Sequence, residues 1–114
     1  MIYDFNIQEP YKSFLLTWQK TIEWRLKKWK FLSMTIWDIL QFPSWEQFLI
    51  ENITEHKTFM EMIQKFGKES IIPDAINDVS ANNVYYKFYT PEDEKKFGVL
   101  AFHIKKINIE RKMA

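Results

Sequence analysis

The chain has 114 residues, a formal net charge of +1 and no cysteine. Its 46% hydrophobic and 18% aromatic content excludes a disordered segment, and its length suits one domain, residues 1–114, with a single sizeable core. The missing cysteine excludes disulfides and thiolate metal sites, and the charge balance excludes a globally basic nucleic-acid binder. The opening MIYDFNIQEP has no basic region followed by an apolar run, so it does not read as a signal peptide. No apolar stretch approaches the ~20 residues that span a bilayer. The expectation is a cytoplasmic protein with no membrane partner.

In chain order, residues 2–8 read as a first strand. Pro10 suits a helix start, and Tyr11, Phe14, Leu15 and Trp18 follow at helical spacing. Residues 20–26 read as a strand whose alternation puts Lys20, Ile22, Trp24 and Leu26 on one face and Thr21, Glu23 and Arg25 on the other. Residues 38–42 and 46–54 read as two more strands, joined by a hairpin turn at Pro43, Ser44 and Trp45. Thr58 and Glu61 form a capping box for a helix that carries Phe59, Met62, Ile63 and Phe66 and stops at Gly67. Ser80 reads as the cap of a helix with the stripe Ala81, Val84, Tyr85 and Phe88. Thr90 and Pro91 start a last helix that ends before Gly98. Residues 99–107 form the final strand, with Leu100, Phe102 and Ile104 towards the core. Strands and helices in these runs predict an α+β fold.

Charge is local. Residues 20–30 hold Lys20, Arg25, Lys27, Lys28 and Lys30 against Glu23, a balance of +4. The end of the chain adds Lys105, Lys106, Arg111 and Lys112 against Glu110. One basic face on a near-neutral domain is enough to steer phosphate; a solvated surface strip is the plainer reading.

The run TWQKTIEWRLKKWKF followed by TIWDILQF resembles the signature of the ASCH family (activating-signal-cointegrator homology), a branch of the PUA-like, RNA-associated folds. That signature runs roughly G-x-K-T-I-E-G-R-L-x-K-G-K-F, then I-x-V-G-D-I-I-x-F. HKTFMEMIQKFGKESIIPDA resembles the family's helical insert, without the Gly of its Leu-Pro-Gly turn. NVYYKFYTPEDEKKFGVLAFHI resembles its closing strand region. The resemblance covers nearly the whole chain and implies a small PUA-like β-barrel flanked by helices.

One departure is systematic. Trp18, Trp24, Trp29 and Trp37 stand where the signature has glycine, and Trp45 sits at a turn. The chain has two glycines, where about 7%, or roughly eight, is average; five tryptophans added to two glycines give seven. One reading is that all five are glycine codons, since UGA means Gly under some codes and Trp under others. The other is a divergent, tryptophan-rich member. On the first reading Trp24 over-packs its site, and the version with five glycines is expected to be the more stable.

Glu23 and Arg25 share a strand face. They either pair with each other or bracket a polar ligand, the guanidinium on a phosphate or base oxygen and the carboxylate on an amine. The resemblance favours a groove lined by Lys20, Glu23 and Arg25, with Lys28 and Lys30 holding phosphate and Tyr89 stacking on a base. Tyr86, on the same side of its helix, reads as packing with its hydroxyl at the rim. The expected function is RNA or nucleotide binding. A first alternative is a small hydrolase, a ribonuclease or an acetylcytidine amidohydrolase, with Lys20 and Glu23 catalytic. In the amidohydrolase branch a Thr nucleophile works beside the lysine; the matching position here is Glu23, a poor replacement. A second alternative is a protein-interaction domain. His56 and His103 lack metal-ligand spacing, Ser44 and Ser80 read as turn and cap, and no metal or cofactor is expected.

Overall fold

A computed structural model describes residues 1–107. The strands are β1 (Ile2–Asp4), β2 (Ile22–Leu26), β3 (Ile39–Gln41), β4 (Gln47–His56) and β5 (Val99–Lys106). The helices are α1 (Tyr11–Leu16), α2 (Phe59–Phe66), α3 (Asp78–Tyr85) and α4 (Pro91–Phe97), with 3-10 turns over Trp29–Ser33 and Lys68–Ser70. The sheet is a curled half-barrel of order β1-β3-β4-β5-β2. β1 pairs with β3 in parallel; the other three pairings are antiparallel. The mixed α and β content matches expectation. The sheet, however, is open: β1 and β2 lie at opposite ends of it, and β5 is one strand in from the edge.

The sheet packs on both faces, and β5 contributes to both cores. On one side Ile22, Trp24, Leu26, Val99 and Ala101 pack under Phe59, Met62, Ile63 and Tyr85 of α2 and α3. On the other, Leu100, Phe102 and Ile104 meet Phe5, Leu15, Phe31, Leu40, Phe42, Phe48 and Ile50. Single-face alternation therefore describes only part of β5: the off-stripe Val99 and Ala101 are small or branched because a second core lies behind them.

Local chemistry sets the element ends. Thr58 Oγ1 accepts from Glu61 N at 3.1 Å, capping α2, and Thr90 Oγ1 accepts from Asp93 N at 3.1 Å, capping α4. α3 starts earlier than the Ser80 cap implied. Asn77 is its cap, and its side chain accepts from Ser80 N at 2.9 Å. β1 stops at Asp4, not residue 8, because its partner β3 is only three residues long.

Six described residues have positive φ: Gly67, Gly98, Trp18, Trp29, Trp37 and Trp45. Trp18 (φ 67°) follows the C-cap of α1, the place where a glycine ends a helix in left-handed geometry. Trp37 (φ 77°) is the third residue of the turn closed by Asp38 N to Thr35 O at 3.1 Å; a type II turn needs left-handed backbone there. Trp45 (φ 76°) is the third residue of the β3–β4 hairpin loop, closed by Trp45 N to Phe42 O at 2.9 Å; that is the glycine position of a three-residue hairpin. Trp29 (φ 56°) opens the first 3-10 turn. For an L side chain this conformation costs roughly 1–2 kcal/mol per residue. All four indoles are exposed, from 48% to 78%, so little packing offsets that cost. Trp24 differs: it is buried in mid-strand opposite Ala101.

Candidate functional site

A cleft of about 220 Å³ runs beside the outer edge of β2. One wall is the β1–α1 segment, with Asn6, Ile7, Gln8 and Tyr11; the other carries Phe88 and Tyr89, and the strand contributes Lys20, Glu23, Trp24 and Arg25. Four of the expected site residues, Lys20, Glu23, Arg25 and Tyr89, therefore meet in one place. Lys28 and Lys30 do not line this cleft. Lys28 Nζ sits 3.8 Å from the Trp29 ring centroid and 4.8 Å from that of Phe97. Lys30 Nζ donates to Asp4 O at 2.8 Å, on a separate depression that shares only Asn6 with the cleft.

Lys20 and Glu23 are each 2% exposed. Strict alternation placed Lys20 on the face away from Glu23. It precedes the first residue of β2, so the pleat does not govern it, and its Nζ lies 3.7 Å from Glu23 Oε1. The same oxygen is 3.1 Å from Arg25 Nη1 and accepts from Trp24 N at 2.9 Å. Lys20 Nζ also donates to Ile22 O and, at 2.7 Å, to Ile71 O. Burial pushes the Lys20 ammonium down to about 8, partly opposed by Glu23. Burial likewise pushes the Tyr89 hydroxyl up.

These contacts have a backbone logic. Thr21 O accepts from Ile104 N and Lys27 N donates to Gly98 O. The odd-numbered residues of β2 thus face β5, and the even-numbered ones turn their N–H and C=O outward. The site side chains meet that free edge: Lys20 on Ile22 O, Glu23 on Trp24 N, and Arg25 Nη1 on Trp24 O at 2.8 Å. Arg25 Nη2 donates to Asn6 O at 3.1 Å, tying the edge to the opposite wall, and its guanidinium lies 4.3 Å from the Phe5 ring centroid. Glu23 Oε2 is buried with no hydrogen-bond partner, as are Asn82 Oδ1 and the Tyr85 hydroxyl on the core side of Trp24.

Outside the cleft lining, two polar clusters centre on residues that the sequence did not flag, Glu94 and Thr54. Glu94 is buried; it accepts from Phe59 N and from the Tyr86 hydroxyl, both at 2.8 Å, and so joins α4 to α2 and ties down the hydroxyl of the exposed Tyr86. Thr54 Oγ1 lies 2.8 Å from His56 Nε2 and 3.0 Å from His103 Nε2. Burial lowers both imidazoles below their ordinary value. This pair lies on the β4–β5 ladder, away from the cleft. No group of three or more metal-ligating side chains occurs among the described residues. Lys105 and Lys106 end β5; Glu110, Arg111 and Lys112 lie outside the described residues.

The chain is 31% identical to the hypothetical protein PH0355, whose crystal structure matches it with a TM-score of 0.90 over 94% of this chain and 100% of that one. It belongs to the family of that protein. The solution structure of protein PF0455 from Pyrococcus furiosus is also similar, with 28% identity and a TM-score of 0.83 over 95% of this chain and 99% of that one. No family model matches the chain, and no curated protein does. No helix among the described residues is long and apolar enough to cross a membrane.

Proposed function

We propose that this is an ASCH-type, PUA-like domain that binds RNA or a nucleotide in the cleft beside β2 and acts in the cytoplasm. The observation that carries this is the convergence of a carboxylate with an unpartnered buried oxygen, a guanidinium and an aromatic ring on one cleft. Glu23 is the acceptor for a base amine, Arg25 the cation for a phosphate or base oxygen, and Tyr89 the ring against which a base packs. Lys20 holds Glu23 in place. Lys28 and Lys30 lie outside the cleft, suited to a strand that continues past it.

Titrating labelled single-stranded RNA at low and moderate salt tests this. Binding is expected to be saturable and to weaken as salt rises. Arg25→Ala or Glu23→Gln is expected to weaken it by about 1.5–3 kcal/mol, the scale of a hydrogen bond to a charged group. Affinity indifferent to both substitutions would remove the site from this cleft.

A hydrolytic reading has one observation in its favour. A lysine held at about 8 beside a carboxylate is poised to exchange a proton near neutral pH. Running the recovered RNA on a gel separates the two: intact RNA at saturating protein means a binding module, and cleavage that disappears in Lys20→Ala means a ribonuclease.

A further inference from the structure

A flat space beside the cleft is filled by the chain itself, by the Trp24 indole. The Trp24 indole stands 5.0 Å, centroid to centroid, from both Phe59 and Tyr85, and 6.0 Å from both Phe88 and Tyr89. Trp24 belongs to the core cluster and also lines the cleft, so its indole is the partition between the cleft, with Phe88 and Tyr89 in its lining, and the buried rings of Phe59 and Tyr85. With the partition in place the cleft holds about 220 Å³, below the roughly 300–1,000 Å³ of small-molecule sites. Position 24 is also a glycine in the signature that the sequence resembles. Next to it, Glu23 Oε2 is buried without a donor. An ionised carboxylate can only accept, and a ligand N–H arriving there removes the cost of that orphaned oxygen.

We propose that the space taken by the Trp24 indole is a base subsite, and that it accepts an amino-bearing nucleobase (adenine, cytosine or guanine) packed against Tyr85 and Tyr89 with its exocyclic amine donating to Glu23 Oε2. This rests on reading the cleft as a nucleotide site. Uracil presents a carbonyl where the amine would be and is disfavoured. The chain with Trp24 closes its own subsite, and Trp24→Gly opens it.

The test uses two forms: one with Trp18, Trp29, Trp37 and Trp45 changed to glycine, and one with Trp24→Gly in addition. Each is titrated with adenosine, cytidine and uridine by calorimetry, and its urea midpoint is followed with added nucleoside. The opened form is expected to bind adenosine and cytidine, to take uridine about tenfold or more weakly, and to gain stability as nucleoside is added. The Trp24 form, which leaves a base only the cleft outside that space, is expected to bind each nucleoside about tenfold or more weakly. Glu23→Gln in the opened form puts an amide NH₂ at the Oε2 position, so preference is expected to turn towards uridine. If the opened form unfolds, Trp24→Ala gives the same comparison. Absent binding, equal binding to both forms, or indifference to Glu23→Gln overturns the subsite. RNA titrated in parallel distinguishes the failures. RNA binding without nucleoside binding removes the subsite and leaves the cleft reading; loss of both removes both.

Discussion

Changing Trp18, Trp29, Trp37 and Trp45 together to glycine is expected to raise the urea midpoint by about 1–2 M. The argument is local. Each residue has a φ between 56° and 77°, where an L side chain is strained by roughly 1–2 kcal/mol. Glycine relieves that strain but frees the unfolded chain, an opposing effect of about 0.4–1 kcal/mol. The net gain is about 0.5–1 kcal/mol per site, and sites far apart in a fold add. Four of them give about 2–4 kcal/mol, which a urea slope of about 2 kcal/mol/M, the middle of the range for small proteins, converts to the stated shift. An unchanged or lower midpoint would sink the idea. Trp24 separates from this set. It fills an aromatic pocket and does not over-pack one, so Trp24→Gly without ligand is expected to lose about 3–5 kcal/mol, as large-to-small changes in cores do. The five-glycine form is therefore expected to match the parent or fall below it until its cleft is occupied, against the sequence expectation that it would be the more stable, because the buried indole fills its site. The gene decides the origin of the pattern: UGG at these five codons would end the glycine reading.

Lys20→Met is the second large effect. Lys20 Nζ serves Ile22 O and Ile71 O in a buried setting. Methionine keeps the length of the chain and supplies no donor, so each carbonyl is left unsatisfied at about 1–3 kcal/mol. The pH dependence carries a sign that a packing defect would not. The folded lysine is pushed from 10.5 down to about 8. Between those values the unfolded chain binds more protons, so stability rises with pH; the contribution is complete above 10.5 and is lost as pH falls through about 8. Near 10.0 the buried tyrosines Tyr85 and Tyr89, whose hydroxyls are pushed up, begin to act in the opposite sense, so the rise is read below that. Urea midpoints at several pH values across the lower part of this window should climb for the parent and stay flat for Lys20→Met. A flat parent curve would show that Lys20 is not titrating as its burial requires.

Much of the site was legible because it lies in one short run. Lys20, Glu23 and Arg25 are three residues of a six-residue stretch, and strand spacing put Glu23 beside Arg25. Tyr89 came from the resemblance at the far end of the chain. What stayed hidden was whatever depended on distant segments. Asn6, Gln8 and Tyr11 form a wall only because β1 pairs with β3 and swings the following segment past β2. Lys28 and Lys30 look like site residues by proximity, but a 3-10 turn carries them away. The sheet order leaves no mark in hydrophobic alternation, which is why an open half-barrel and a closed barrel read alike. The left-handed turns were legible in an unusual way: the tryptophans that replace glycine in the pattern mark the same backbone positions that glycine would hold.

The outward backbone of β2 gives the polar cluster a second consequence. An uncovered strand edge is a template on which another chain can add a strand. Here Lys20, Glu23 and Arg25 occupy the edge groups of Ile22 and Trp24, so the same side chains that would hold a ligand also keep the sheet from growing. Alanine at 23 or 25 removes this guard. Such variants are expected to self-associate, visible as a concentration-dependent rise in light scattering that Lys28→Ala does not share. A ligand that drew Glu23 and Arg25 away from the backbone would do the same reversibly, making occupancy of the cleft and the assembly state of the protein two readings of one event.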